Sequence, residues 1–195
     1  MKEITITAQK REAVGKKATK AARRAGLVPC NIYGLNEGAE AFTITEKEAN
    51  KIIFTPNVYL VNVNIGGQLR KAIIRETQFH PVKDNVLHID FLEVTAEKPI
   101  VIGVPIQTQG LAPGVRAGGK LVTLIRKINV RALYKDVPEK LNIDVTNLQL
   151  GKSIKVGDLN FEGLELVTPK EVIVVSVKMT RAASSAAAEA KAAEA

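Results

Sequence analysis

The chain has 195 residues, enough for one or two domains, and 46% of them are hydrophobic, enough for a sizeable core. Its net charge of +8 points to a polyanionic partner, while the lack of Trp and an aromatic content of 4% exclude a multi-aromatic platform for single-stranded nucleic acid. One cysteine, Cys30, excludes an internal disulfide framework, points to a reducing compartment and, with only two histidines, leaves no Cys/His set for zinc.

The sequence shows no charged-then-apolar leader and no run of about 18 apolar residues, so neither a signal peptide nor a membrane span is expected. Glu3 to Ala8 alternates as a half-buried strand. Next comes the most charged stretch of the chain. Between Lys10 and Arg24 stand Lys10, Arg11, Lys16, Lys17, Lys20, Arg23 and Arg24 against a single acid, Glu12. From Lys16 to Ala25 the residue types favour a helix, and Gly26 and Pro29 stop it. Lys16, Lys20 and Arg23 recur at helical spacing on one face; Ala18, Ala22 and Ala25 form a stripe on the other. A solvated basic helix is one reading. The missing i,i+4 counter-charges and the small-residue stripe favour a helix that lies close on a scaffold and contacts nucleic acid.

Pro29 to Tyr33 and Ala41 to Ile44 read as short strands. Thr45-Glu46-Lys47-Glu48 has the pattern of a capping box, opening a short helix that carries Ala49, Ile52 and Ile53. Val58 to Ile65 alternates, with Tyr59, Val61, Val63 and Ile65 on one side, and Gly66-Gly67 turns it into a strand from Leu69 to Phe79. After a loop over His80–Asn85, Val86 to Val94 is the last strand of this part. In it His88 and Asp90 share one face, while Leu87, Ile89 and Phe91 form a core face. On residue types alone the His88/Asp90 pair reads equally as an ordinary surface pair or as an element that reads base edges or sugar hydroxyls.

A boundary is expected over Glu93–Lys98, before Pro99. Residues 1–94 then form a first domain that carries the basic helix, 95–179 a β-rich second domain and 180–195 a low-complexity, Ala-rich tail expected to be disordered. The second part shows strand-like runs at Pro99–Gln109, Leu121–Leu133, Leu141–Val145, Leu164–Val167 and Val172–Met179, without a helical period of useful length. Gly110–Gly119 lacks the Gly-Lys-Ser/Thr ending of a phosphate loop and reads as a flexible connection. Cys30 has no nucleophile motif around it, so a Cys30–His88–Asp90 catalytic set is rejected. No cofactor, metal or reaction is expected.

Arg11-x-x-x-Gly15-Lys16, Arg23, Pro29-x-x-x-Tyr33-Gly34, Gln78-x-His80-Pro81 and His88-Ile89-Asp90-Phe91 together resemble the bacterial large-subunit ribosomal protein twenty-five family in its long, two-domain form, also called the general stress protein Ctc family. Val104-Pro105-Ile106, Gly110-Leu111-Ala112-Pro113-Gly114-Val115 and Gly118-Gly119 resemble the opening of that form's second domain. The resemblance implies a mainly β (α+β) protein whose first domain is a small β-barrel with short helices, similar to the anticodon-binding domain of glutaminyl-tRNA synthetase. It also implies a structural protein that binds the loop E region of 5S rRNA through the minor groove. The resemblance implies a cytoplasmic location, where such a protein sits as a monomer in the ribosome beside other large-subunit components, with no membrane partner. By position, the RNA-contacting residues are Arg11, Lys16, Lys20, Arg23, Tyr33, Gln78, His88 and Asp90. Two departures stand out: Lys20-Ala21 where many relatives have an Arg pair, and Phe79 where Arg is common. The alternative from another class is a β-rich interaction module whose basic helix binds an acidic protein or a membrane surface.

Overall fold

A computed structural model describes residues 1–34 and 38–180. The Ala-rich tail from residue 181 onward lies outside the described residues. The chain forms two compact units, Met1–Ile100 with Leu133–Glu139, and Val101–Ala132 with the chain from Lys140.

The first unit contains β1 (Lys2–Lys10), α1 (Lys16–Arg24), β2 (Leu27–Tyr33), β3 (Glu40–Thr45), α2 (Glu46–Ile53), β4 (Tyr59–Ile65), β5 (Gln68–Phe79) and β6 (Val86–Glu93). The six strands close into a barrel in the order β1-β3-β2-β6-β5-β4. The β1–β4 and β2–β6 pairs are parallel and the others antiparallel. Alternation builds the interior: Ile6 and Ala8 from β1, Val28, Cys30 and Ile32 from β2, Phe42 and Ile44 from β3, Val61 and Val63 from β4, and Ile89 and Phe91 from β6 all point inward. Phe42 and Phe91 meet across the core with ring centroids 5.5 Å apart. The expected capping box is present at Thr45, and the helix it opens buries Ala49 and Ile52 against this core. Met1, Lys2 and the returning segment Leu133–Glu139 meet within this unit, through a Met1 N-terminal amine to Val137 O contact of 3.5 Å and a Lys2–Glu139 ion pair of 3.2 Å.

Two expectations about faces need correction. Leu87 is half-buried rather than part of the core face. The reason is a bulge: Gln78 pairs with His88 but Phe79 pairs with Val86, so Leu87 is an extra residue on β6. On β4 both faces are largely covered, since Leu60 and Asn62 are buried as well as Val61 and Val63. Simple alternation describes a half-exposed strand, which this one is not.

The second unit is also mostly β: β7 (Ile100–Gln109), α3 (Pro113–Arg116), β8 (Lys120–Thr123), β9 (Lys127–Ala132), β10 (Leu141–Asp144), β11 (Ser153–Lys155), a 3-10 turn (Val156–Asp158), β12 (Glu165–Leu166) and β13 (Ile173–Lys178). They form a four-stranded sheet, β10-β7-β9-β12, and a three-stranded sheet, β11-β13-β8. The Gly110–Gly119 stretch is not the flexible connection its composition suggests. It holds the one-turn helix α3, and a Cβ on Gly114 would lie 2.6 Å from the Leu150 backbone nitrogen. These glycines serve close packing. Among the described residues, no helix is long and apolar enough to cross a membrane.

Candidate nucleic-acid interface

The helix α1 has no buried residue. Only Ala18, Thr19 and Ala22 are even half-buried, and Ala25, expected in the docking stripe, is exposed. Apolar packing therefore contributes little to holding the helix on β2. Two arginines do more. The Arg11 guanidinium donates to Thr19 Oγ1 at 3.1 Å. The Arg23 guanidinium donates through Nε and Nη2 to the Leu87 carbonyl, at 3.1 and 2.9 Å. Leu87 is the extra residue of the β6 bulge, so the irregular backbone that the bulge exposes becomes the anchor for the helix. Sequence spacing groups Lys16, Lys20 and Arg23 on one face, but the structure gives them different settings. Arg23 is turned to β6, while Lys16 and Lys20 stand exposed with Lys17 and Arg24. A guanidinium has five N–H donors, so Arg23 keeps donors for a second acceptor.

Strand pairing lays the outward side chains in rows beside this helix. The Arg11 backbone N–H donates to Ala41 O at 3.0 Å. Ala41 pairs with Asn31, Asn31 with Asp90, and Asp90 with Glu76. The next row pairs His88 with Gln78. Neighbouring strands lie about 4.8 Å apart, so Asn31, Asp90 and Glu76 cover roughly 10 Å. Tyr33 pairs with Leu92 further along the same face and is 36% exposed. Gly34 follows it at φ +124, where a Cβ would lie 2.8 Å from Leu92 Cδ1 and 3.1 Å from Glu93 O. Only glycine takes that turn without strain, and it ends β2 with Tyr33 at the rim.

Arg11, Arg23, Gln78, His88 and Asp90 thus belong to one neighbourhood, with Lys16 and Lys20 on the helix above it and Tyr33 toward its end. Two members escape the sequence reading. Asn31 was detectable, since Cys30 and Ile32 facing inward put it outward beside Tyr33. Glu76 was not, because a second bulge between Ile74 and Glu76 shifts its face.

His88 Nδ1 lies 3.3 Å from Asp90 Oδ1, with both side chains mostly buried. Burial pushes the His88 pKa below 6.5, and the Asp90 carboxylate pulls it partly back. The carboxylate holds the proton of the neutral ring at Nδ1 and leaves Nε2 as an acceptor. The sign is that of a base with a depressed folded pKa. Its contribution to stability is complete above the unfolded value and is lost as pH falls from there through the folded value. An NMR titration of the free protein is expected to place the His88 midpoint below 6.5; a midpoint at or above that value would contradict this environment.

Cys30, by contrast, faces the barrel interior at 0% exposure, and burial pushes its thiol far above the usual range. It is on the opposite side of the wall from His88 and Asp90. No group of three or more His, Cys, Asp or Glu that could hold a metal occurs among the described residues.

The comparisons with known proteins agree with this architecture. The Ribosomal L25p family matches residues 6–91, and the C-terminal domain of ribosomal protein TL5 matches residues 99–181. The chain is 48% identical to the large ribosomal subunit protein bL25 of Phocaeicola vulgatus, over 97% of this chain and 99% of the relative. It is 50% identical to bL25 of Bacteroides thetaiotaomicron, again over 97% and 99%. The chain belongs to the ribosomal L25p family. As a member of the L25p family it is a structural ribosomal protein and not an enzyme. The L25p match ends at Phe91 and so takes in all eight expected contact residues.

Proposed function

We propose that this protein binds 5S rRNA, at the loop E region, as a structural component of the large ribosomal subunit. The observation that supports this best is the composition of the outer β2–β6–β5 face. A centre of amide, carboxylate and neutral imidazole (Asn31, Asp90, Glu76, Gln78, His88) is bordered by Arg11, Arg23 and the lysines of α1. The border is suited to phosphates and sets the docking register. The centre is suited to base amino groups and ribose hydroxyls in the wide, shallow groove of an RNA helix. Tyr33 supplies a ring face or a hydroxyl at the rim. An acidic protein partner has no need of the Asp90/His88 hydrogen-bonding centre, whereas an RNA groove offers base amino groups and ribose hydroxyls that donate to it.

The test is a binding titration of the full chain on 5S rRNA and on transfer RNA at several salt concentrations. Tighter binding to 5S rRNA is expected. Lys20→Ala should weaken both RNAs alike and lower the log–log salt slope by roughly 0.7–0.9, as loss of one phosphate contact does. An unchanged slope would remove Lys20 from the interface.

A further inference from the structure

We propose that Asn31 is an additional reading residue of this interface, hydrogen-bonding a base amino group or a ribose hydroxyl of the bound RNA beside Asp90. The inference rests on the RNA-binding reading above and names a residue outside the set expected from the family's motif positions. Asn31 sits in the middle of β2, where its residue type is disfavoured; a β-branched side chain would suit the strand better. A structural reason would be a hydrogen bond to a neighbour, yet its carboxamide makes none among the described residues, although it is half-buried. Its carboxamide nitrogen and oxygen are not among the buried, unpartnered polar atoms, so both remain open to an external partner. The register places it between Ala41, whose methyl leaves room above it, and Asp90. Arg11 and the α1 helix stand at one side of this row and His88 at the other. A carboxamide is uncharged and both donates and accepts, so it distinguishes edge groups without adding to phosphate attraction.

The experiment uses the full chain with Asn31→Val and Asn31→Ala, titrated on 5S rRNA and on transfer RNA, with melting temperatures measured in parallel. Both variants are expected to bind 5S rRNA about three- to tenfold more weakly, the effect of one neutral hydrogen bond. Affinity for transfer RNA and the salt slope should stay unchanged, and Asn31→Val should melt no lower than the wild type. If the wild type prefers 5S rRNA and both variants bind it equally well, the Asn31 assignment falls alone. An equal loss on both RNAs with a lowered melting temperature would also overturn it, in favour of a structural role. If the wild type shows no preference for 5S rRNA, the RNA-binding reading falls first and takes Asn31 with it.

Discussion

Replacing Arg70 with methionine is expected to destabilise the first unit by about 2–3 kcal/mol, or roughly 10–20 °C in melting temperature. Arg70 makes a bidentate pair with Glu93, Nε to Oε1 at 3.0 Å and Nη2 to Oε2 at 2.8 Å, and its Nη1 reaches Glu40 Oε2 at 2.8 Å. Lys10 completes the network at 2.9 Å from Glu40. Four strands (β1, β3, β5 and β6) are tied by these contacts. The Arg70 and Glu93 side chains are only 13% and 9% exposed, so removing the arginine leaves Glu93 poorly solvated beside Glu40. The acid limb carries a second signature. Lys10 first, then Arg70, holds the Glu40 carboxyl below its ordinary 4.5. A carboxylate with a depressed folded pKa contributes stability above its unfolded value and loses it as pH falls through the folded one. The variant should therefore lose less stability between neutral and acid pH than the wild type, while Lys10 preserves part of the dependence. Thermal melts at pH 7 and pH 4 check both points. A melting temperature within a few degrees of the wild type at neutral pH would show the network contributes little.

Asp90→Ala is expected to weaken binding to 5S rRNA by about 1–3 kcal/mol, the range of a specific edge contact. Its effect on transfer RNA should be much smaller. A carboxylate beside a polyanion is repulsive, so it belongs in the interface only as an acceptor for a base or sugar donor. Asp90 also fixes the His88 ring, whose Nδ1 lies 3.3 Å away, so its loss frees the imidazole to present either nitrogen. The salt slope should barely change, which separates this variant from Lys20→Ala. If Asp90→Ala instead tightens binding to both RNAs alike, Asp90 is only a repulsive surface charge and the His88-Ile89-Asp90 assignment fails.

Much of the first unit was legible in the residues themselves. Alternation marks β1 and β6, the Thr45 capping box marks α2, and Gly66-Gly67 marks the β4–β5 hairpin. What alternation does not carry is pairing. Nothing local to β2 or β6 says that they lie side by side in parallel, and that pairing alone brings Asn31 next to Asp90. Bulges are equally hidden, because an extra residue such as Leu87 is defined only against its partner strand. The α1 helix illustrates a further limit. Its alanine stripe suggested docking through small residues, but a stripe of methyl groups buries little, and the arginine contacts to Thr19 and Leu87 do the anchoring. In the second unit, Gly and Pro suggested a loose connection at 110–119, where they instead permit a tight one.

The most direct test of the central claim is an amide NMR map of the full chain titrated with 5S rRNA. The outer β2–β6–β5 face and α1 should respond together: Lys16, Lys20, Asn31, Tyr33, His88 and Asp90 should shift or broaden at low RNA ratios. The row Thr5–Asn62–Lys71, on the β1–β4–β5 wall, should stay in place. Perturbation of that wall, with the Asn31–Asp90 row silent, would contradict the account.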